Sequence, residues 1–434
     1  MTGGPAPREG SRGSILAVDR ERAARRNTVR LSVAQGFVMM SFPVLLVVGG
    51  PAASDLAGIR GASGILWGVY FLAAAGGAFA IGRWMDRVGR RPGLVLAYVL
   101  VMIAGAGCAL SIRAGSFAGL LASSVVFGVA VGGANLSRAA VADMYPPQRR
   151  GQAVGLLLAA GTIGAVGAPF LAALLQSYAE DRGMNPDVLP WVIVPVAAAI
   201  ALAAVLTVRP DPRDLAAAPT EGSVGEAAGA GRGPRELLRI KAFRMALLAA
   251  VAGQAAMVGV MGVTPEAMDD LHHSGTAISF VISFHISGMF AFSPLIGRWL
   301  DRVGHRNGLY VGCAASVVGA LVASTEASAL VIGAGLFTIG LGWSTTFLGA
   351  TAVISDITSA SERAGALGFT DLAISATSAM AGVGGGLLLS ASGYRVVGVA
   401  LAGMVGVVIL AITRLRQDQP IAATADPGRV PAPR

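Results

Sequence analysis

Residues Gly82–Leu94 read GRWMDRVGRRPGL, and residues Gly297–Leu309 read GRWLDRVGHRNGL, ten identities in thirteen positions at an offset of 215. The match extends beyond this stretch. Pro51 and Asp55 return as Pro265 and Asp269, and the segment Asp143–Gly151 returns as Asp356–Gly365. Self-similarity at half the chain length is the mark of a duplicated unit. What surrounds the repeated stretch decides what kind of unit it is.

The chain has 434 residues, of which 54% are hydrophobic and only 13% charged. A soluble domain carries roughly 25% charged residues, so this composition excludes one. Lys241 is the single lysine, and the net charge of +9 is carried almost wholly by arginine. On a soluble chain that excess would suggest nucleic acid; in a membrane protein it encodes topology. Cys108 and Cys313 sit inside apolar runs, where a free thiol behaves as a small hydrophobe, and they form no disulfide framework.

Runs long enough to cross a bilayer, about 20 apolar residues each, begin with Leu31–Gly50, Ile65–Ile81, Gly93–Ile112, Phe117–Val141, Ala153–Leu175 and Leu189–Val208. Residues 209–241 are rich in Pro, Gly and charge and form a linker outside the bilayer. Six more runs follow: Ala242–Val263, Ala277–Ile296, Leu309–Ser324, Ala329–Ile354, Ala366–Leu389 and Val396–Ile412. The expected protein is all-α, with about twelve transmembrane helices in two pseudo-symmetric bundles, 31–208 and 242–415. A polar arm (1–30), without the apolar core of a cleaved signal peptide, precedes them, and a polar tail (416–434) that reads as disordered follows. Only Arg60, Arg113, Arg182 and Arg395 fall in loops after odd-numbered spans. Because arginine-rich short loops stay in the cytoplasm, both termini and the linker are expected there, in a multi-pass protein of the cell membrane.

The run Gly82, Asp86, Arg87, Gly89, Arg90, Arg91 resembles the signature loop between spans 2 and 3 of the major facilitator superfamily. The second copy, Gly297, Asp301, Arg302, Gly304 and Arg306, resembles its counterpart between spans 8 and 9, with His305 in place of an arginine. The resemblance covers about residues 31–415. It implies two six-helix halves of the same orientation related by an axis along the membrane normal, with a substrate site between them. Physically, Gly82 lets a helix approach closely, Gly89 permits a tight turn, and the carboxylate of Asp86 can cap the positive end of an incoming helix. The resemblance implies a latch that closes the cytoplasmic side against span 11 in the outward-open state, with Arg90 paired to Asp143 at the end of span 4. Asp356 is the repeat of Asp143. Orientation alone is the plainer use of an arginine-rich loop.

Span 5 carries Gly155, Gly164, Ala168 and Pro169, similar to the antiporter motif of drug and proton exchangers with alanine at three glycine positions. Small residues at this spacing pack helices tightly at the interface of the halves; an ordinary Gly/Ala packing face has the same composition. The arginine many proton-coupled exporters carry in span 4 is replaced by Ser124. Arg138 lies on that span nearer the cytoplasmic end, in a network with Asp143 or in the substrate cavity.

Ionisable residues inside spans are costly and so are functional candidates. Asp371, in span 11, can take and release a proton as the halves rock, or serve as a fixed partner of Arg87 or Arg90. His285, at mid-depth of span 8 and opposite Tyr70 in the repeat, can carry a proton or bind substrate, or be a neutral histidine bonded within the protein. Tyr70, Asn135, Gln254, Trp343, Thr346 and Phe347 are further cavity candidates. His272 and His273 lack the spacing of a metal site. No phosphate loop ending in Gly-Lys-Ser/Thr occurs, which disfavours an ATP-driven pump. No nucleophile, base and orienting acid stand together, so an enzyme is not expected, and no cofactor or metal is implied.

The sequence thus reads as a secondary active transporter, exchanging an amphipathic small molecule or drug for protons by alternating access. The expected partners are a small molecule, protons and the lipid bilayer, not nucleic acid, and the expected functional unit is a monomer. A proton-coupled importer of a metabolite is the alternative, and a non-transporting membrane sensor a further one.

Overall fold

Inside a bilayer no water is available to satisfy backbone N–H and C=O groups, so an apolar run of spanning length must become a helix. The computed structural model describes residues 9–215 and 232–417, and among these it is helical with no strand. Twelve spans result, labelled here α1 (Asp19–Ala57), α2 (Ala62–Val88), α3 (Arg90–Arg113), α4 (Phe117–Asp143), α5 (Gln152–Asp181), α6 (Leu189–Leu206), α7 (Lys241–Asp270), α8 (Gly275–Phe290 with Ser293–Val303), α9 (His305–Ala323), α10 (Ala329–Ile357), α11 (Gly365–Ser392) and α12 (Tyr394–Leu415).

Several spans are broken, and proline accounts for three of the breaks. A proline removes one N–H and crowds the carbonyl four residues back. Pro294 does this to α8, which bends by 41° between its two pieces. Ser293 Oγ donates to the carbonyl of Met289 at 3.1 Å, satisfying one acceptor at the break. Pro43 stands just after a break in α1 and Pro265 just after one in α7, although it is Pro51 that matches Pro265 in the repeat. In its described part the run 1–30 is a helix that starts at Glu9 and continues without interruption into α1 as far as Val38. Its arginines explain why. Arg20, Arg26 and Arg30 donate to the carbonyls of Leu215, Arg209 and Thr207, so the extension is held against the chain leaving α6. Among its described residues the linker has one short helix, Pro234–Leu237, and most of the polar tail lies outside the described residues.

In the first half α2 and α3 pack on α4, α3 packs on α6, and α1 packs on α5 and α6; in the second, α10 packs on α7, α8 and α9, and α12 on α7 and α9. The halves meet along α2 with α11 and α5 with α8, two pairs that exchange under the repeat. The contact is close because it is made of glycine. A Cβ added at Gly64 would stand 2.8 Å from the Cα of Gly386, and Gly61 and Gly68 face the same helix. These residues lie at the end of the molecule away from the Gly82–Leu94 loop, termed here the distal end, as opposed to the latch end.

Candidate transport path and its gates

At the latch end, α2 stops at Val88 because Gly89 takes φ +110°, a conformation that favours glycine. The turn delivers Arg90 to the start of α3. Its Nε donates to Asp143 at 2.9 Å and its Nη1 to Asp86 at 2.8 Å. Asp211, just after α6, accepts from the backbone N–H of Arg90 at 3.1 Å and of Arg91 at 2.8 Å, capping α3. Arg213 donates to the carbonyl of Arg87 at 3.1 Å. The linker is therefore part of this latch, a role the sequence concealed because the partners of Asp211 are backbone groups.

The second copy repeats the geometry around a different cation. Gly304 takes φ +86°, and His305 stands with Nδ1 3.2 Å from Asp356 and Nε2 3.5 Å from Asp301. A cleft of about 280 Å³ opens beside it, lined by Gly304, His305, Arg306, Asn307, Val353, Asp356 and Ile357. Arg302 is exposed. Between the linker and the second half, Arg232 forks onto both carboxylate oxygens of Glu362, at 2.7 and 2.8 Å. That pairing holds the Glu362 carboxyl well below the usual range and raises the guanidinium.

Neither latch glycine is approached by the opposite half. The nearest neighbour of a Cβ at Gly82 would be Leu136 of the same half, and at Gly297 there would be none within 4 Å. The latch-end piece of α8 packs on α9 and α10 of its own bundle. Among the described residues, hydrogen bonds joining the two transmembrane halves lie at the distal end and mid-depth: Trp67 Nε1 to the carbonyl of Gly262 at 2.8 Å, Arg60 to Asp270 at 2.8 Å, Ser63 and the N–H of Gly61 to Glu266, and Ser283 to the carbonyl of Val166 at 2.9 Å. The halves are tied together distally and at mid-depth, and among the described residues the latch end is the side without such hydrogen bonds.

On this side Asp371 of α11 and Arg138 of α4 belong to opposite halves, and both are exposed. The field of Arg138 reaches Asp371, yet the two form no ion pair. Arg90 is occupied by Asp86 and Asp143 and is no partner of Asp371, while Arg138 donates to the carbonyl of half-buried Asn135 at 3.3 Å rather than to Asp143. In the second half Trp343 Nε1 donates to Gln254 Oε1 at 2.6 Å, and Gln254 Nε2 donates to Ser378 at 2.7 Å. This chain fixes the indole, which stacks on Phe347 at 5.2 Å and 10° and is met edge-on by Phe290.

Three other candidates point elsewhere. Tyr70 is buried among Phe42, Trp67, Phe71 and Phe127. Thr346 is buried against Gly253 and donates to the carbonyl of Trp343. His285 is 0% exposed; it sits between α8 and α10 and donates from Nδ1 to the carbonyl of Leu336 at 2.6 Å. On α5, Gly155 has open space and Gly164 packs on the backbone of Gly36 in its own half. The small residues thus seat α5 on α1, while Val166 and Gln176 face α8 across the interface. Pro169 lies within the α5 helix, whose distal part reaches that interface.

Two six-helix bundles that meet closely along α2 with α11 and α5 with α8 have the architecture of a multi-pass membrane transporter. The chain belongs to the Major Facilitator Superfamily, whose family model matches residues 31–266 and 245–433. It is similar to the uncharacterized MFS-type transporter YdeG of Bacillus subtilis (strain 168), 28% identical over 383 residues that cover 85% of this chain and 87% of that one. It is also similar to the riboflavin transporter RfnT of Brucella anthropi, 25% identical over 405 residues, 93% of this chain and 99% of that one. In fold it resembles the crystal structure of a D-xylose-proton symporter, with a TM-score of 0.71 at 17% identity over 91% of this chain and 98% of that one.

Proposed function

We propose that the chain is a proton-coupled exporter of amphipathic small molecules in the cell membrane, with the latch end, both termini and the linker in the cytoplasm. The observation that carries the reading is the opposition of Asp371 and Arg138, one from each half, without an ion pair. A lone carboxylate inside a membrane protein is costly to desolvate, so it gains by binding a proton when the halves close over it and by releasing the proton when they part. The arginine content of the latch-end loops supports the sidedness. On that assignment the conformation described is inward-facing, and the latches close on the opposite half when the distal end opens.

The indole of Trp343, pinned through Gln254 and Ser378, offers an aromatic surface to a planar, partly polar molecule, and the similarity to a riboflavin transporter supports that substrate class. It also motivates the second reading, proton-coupled import of a metabolite. One experiment tests both. Proteoliposomes are loaded with riboflavin or with a cationic amphipathic dye, and a pH gradient of either sign is imposed. Dye movement against the proton flow, abolished by Asp371→Asn while exchange without a gradient persists, supports export. Riboflavin movement with the proton flow supports import. Transport indifferent to the gradient and to Asp371→Asn refutes the coupling.

A further inference from the structure

The segment Pro51-Ala-Ala-Ser-Asp55 of α1 returns in α7 as Pro265-Glu-Ala-Met-Asp269, so Glu266 occupies the place of Ala52 in the first copy. The duplication alone does not require a charge there. Glu266 is only 5% exposed, and its surroundings are otherwise acidic. Asp55, Asp269 and Asp270 line the same distal cleft of about 330 Å³, and the nearby cation, Arg60, is engaged by Asp270. A buried carboxylate in such a place must be held by hydrogen-bond donors.

The donors come from the other half. Glu266 accepts from the backbone N–H of Gly61, the residue immediately before α2, and from the hydroxyl of Ser63 in its first turn. α2 has no side-chain cap of its own at Gly61. A carboxylate from α7 therefore lies at the start of α2, where partial positive charge gathers, bonded to the N–H of Gly61 and the hydroxyl of Ser63, while the N–H of Ser63 is taken by Ser54 Oγ of the first half at 3.2 Å. Trp67 Nε1, donating to the carbonyl of Gly262 at 2.8 Å, ties the same two helices one turn deeper.

We infer that Glu266 is the residue that holds the distal gate shut. α2 carries the Glu266 contact at one end and the latch residues Asp86 and Gly89 at the other. When the halves separate distally, the carboxylate gives up both donors and is left to water beside three other acids. Glu266 thereby acts as a positioning residue that sets the balance between the two end states, independently of which substrate is moved or whether protons drive it.

The test measures that balance without substrate. In the full-length chain with Cys108 and Cys313 replaced by alanine, spin labels at Ile59→Cys and Leu271→Cys, both exposed and on opposite halves, report the distal separation by pulsed electron resonance in lipid nanodiscs. Glu266→Ala is expected to raise the ratio of distally open to closed molecules about tenfold. Glu266→Gln and Ser63→Ala, which each spare part of the contact, are expected to raise it less. Arg60→Ala, which breaks an exposed ion pair worth little, is expected to shift it less than twofold. If Glu266→Ala fails to fold, Glu266→Gln and Ser63→Ala decide the matter. Distance distributions in those variants that coincide with the parent, or an effect of Arg60→Ala as large as theirs, would overturn the inference.

Discussion

Arg90 and His305 stand 215 residues apart at equivalent places in the duplicated loop, and each bridges two carboxylates of its own half. Arg90 reaches Asp86 and Asp143 at 2.8 and 2.9 Å; His305 reaches Asp301 and Asp356 at 3.5 and 3.2 Å. The two halves thus share a latch design but differ in the group that bridges it, a planar guanidinium with five donors in the first and an imidazole in the second.

That difference makes a prediction about the second latch. His305→Ala removes the bridge between Asp301 and Asp356, and an exposed pair of this kind is worth about 0.2–1 kcal/mol, so it should lower the thermal midpoint in detergent only slightly. His305→Arg, which supplies the cation found at Arg90, should not lower it. A loss as large for His305→Arg as for His305→Ala would show that the cation at this place contributes nothing.

The linker cap makes a separate prediction about stability. Asp211 satisfies the N–H groups of Arg90 and Arg91 at the start of α3, and loss of a helix N-cap costs about 0.5–2 kcal/mol. Asp211→Ala should lower the thermal midpoint in detergent accordingly. Gly89→Ala should lower it further, because it both places a side chain at φ +110° and brings a Cβ within 2.8 Å of the Asp211 carboxylate. Equal effects from the two substitutions would mean that the strain at Gly89 contributes nothing.

The spans and the division into halves were legible in the sequence because each rests on a local signal: a run of apolar residues, or a thirteen-residue loop occurring twice. Side-chain direction was not. Where a helix is apolar all round, no periodicity separates the face toward the cavity from the face toward a neighbouring helix, and so Tyr70, Thr346 and His285 looked as eligible for the cavity as Gln254 and Trp343. Roles that depend on backbone partners were equally hidden. Asp211 and Glu266 each bind main-chain N–H groups of a helix far away in sequence, and nothing in RPDPRD or TPEAMDD announces that. The break in α8 was available in principle from Pro294, whose missing N–H forbids a straight helix through Ser293.

At the distal mouth, burial pushes the Asp187 carboxyl up to about 6, with the charges of Asp55, Asp269 and Glu180 adding to the effect and a hydrogen bond from Gln176 at 3.3 Å opposing it. A carboxyl raised on folding favours the folded state most below the ordinary value of 3.8 and loses that advantage as pH climbs through about 6. The full displacement corresponds to at most about 3 kcal/mol. Asp187→Asn should therefore raise thermal stability relative to the parent at pH 7.5, with the gain shrinking toward pH 4. A gain independent of pH would assign the effect to packing rather than charge.

The two ends of α2 make opposite demands on glycine. At Gly64 any side chain meets the backbone of Gly382 and Gly386 on α11, both in the other half, while at Gly82 a Cβ would make only an ordinary 3.5 Å contact with Leu136. Gly64→Val therefore opposes distal closure without disturbing the packing of its own bundle, and should shift the population toward distally open molecules. Gly82→Val is tolerated in the conformation described here but occupies the face the latch needs when that end closes, so it should trap the distally closed form. Accessibility of Ala62→Cys, at a position 1% exposed in the distally closed form, to a membrane-impermeant maleimide separates the cases: labelling faster than the parent for Gly64→Val, slower for Gly82→Val, and slower substrate exchange for both. Labelling that moves in the same direction in both variants would mean that the ends of α2 do not alternate.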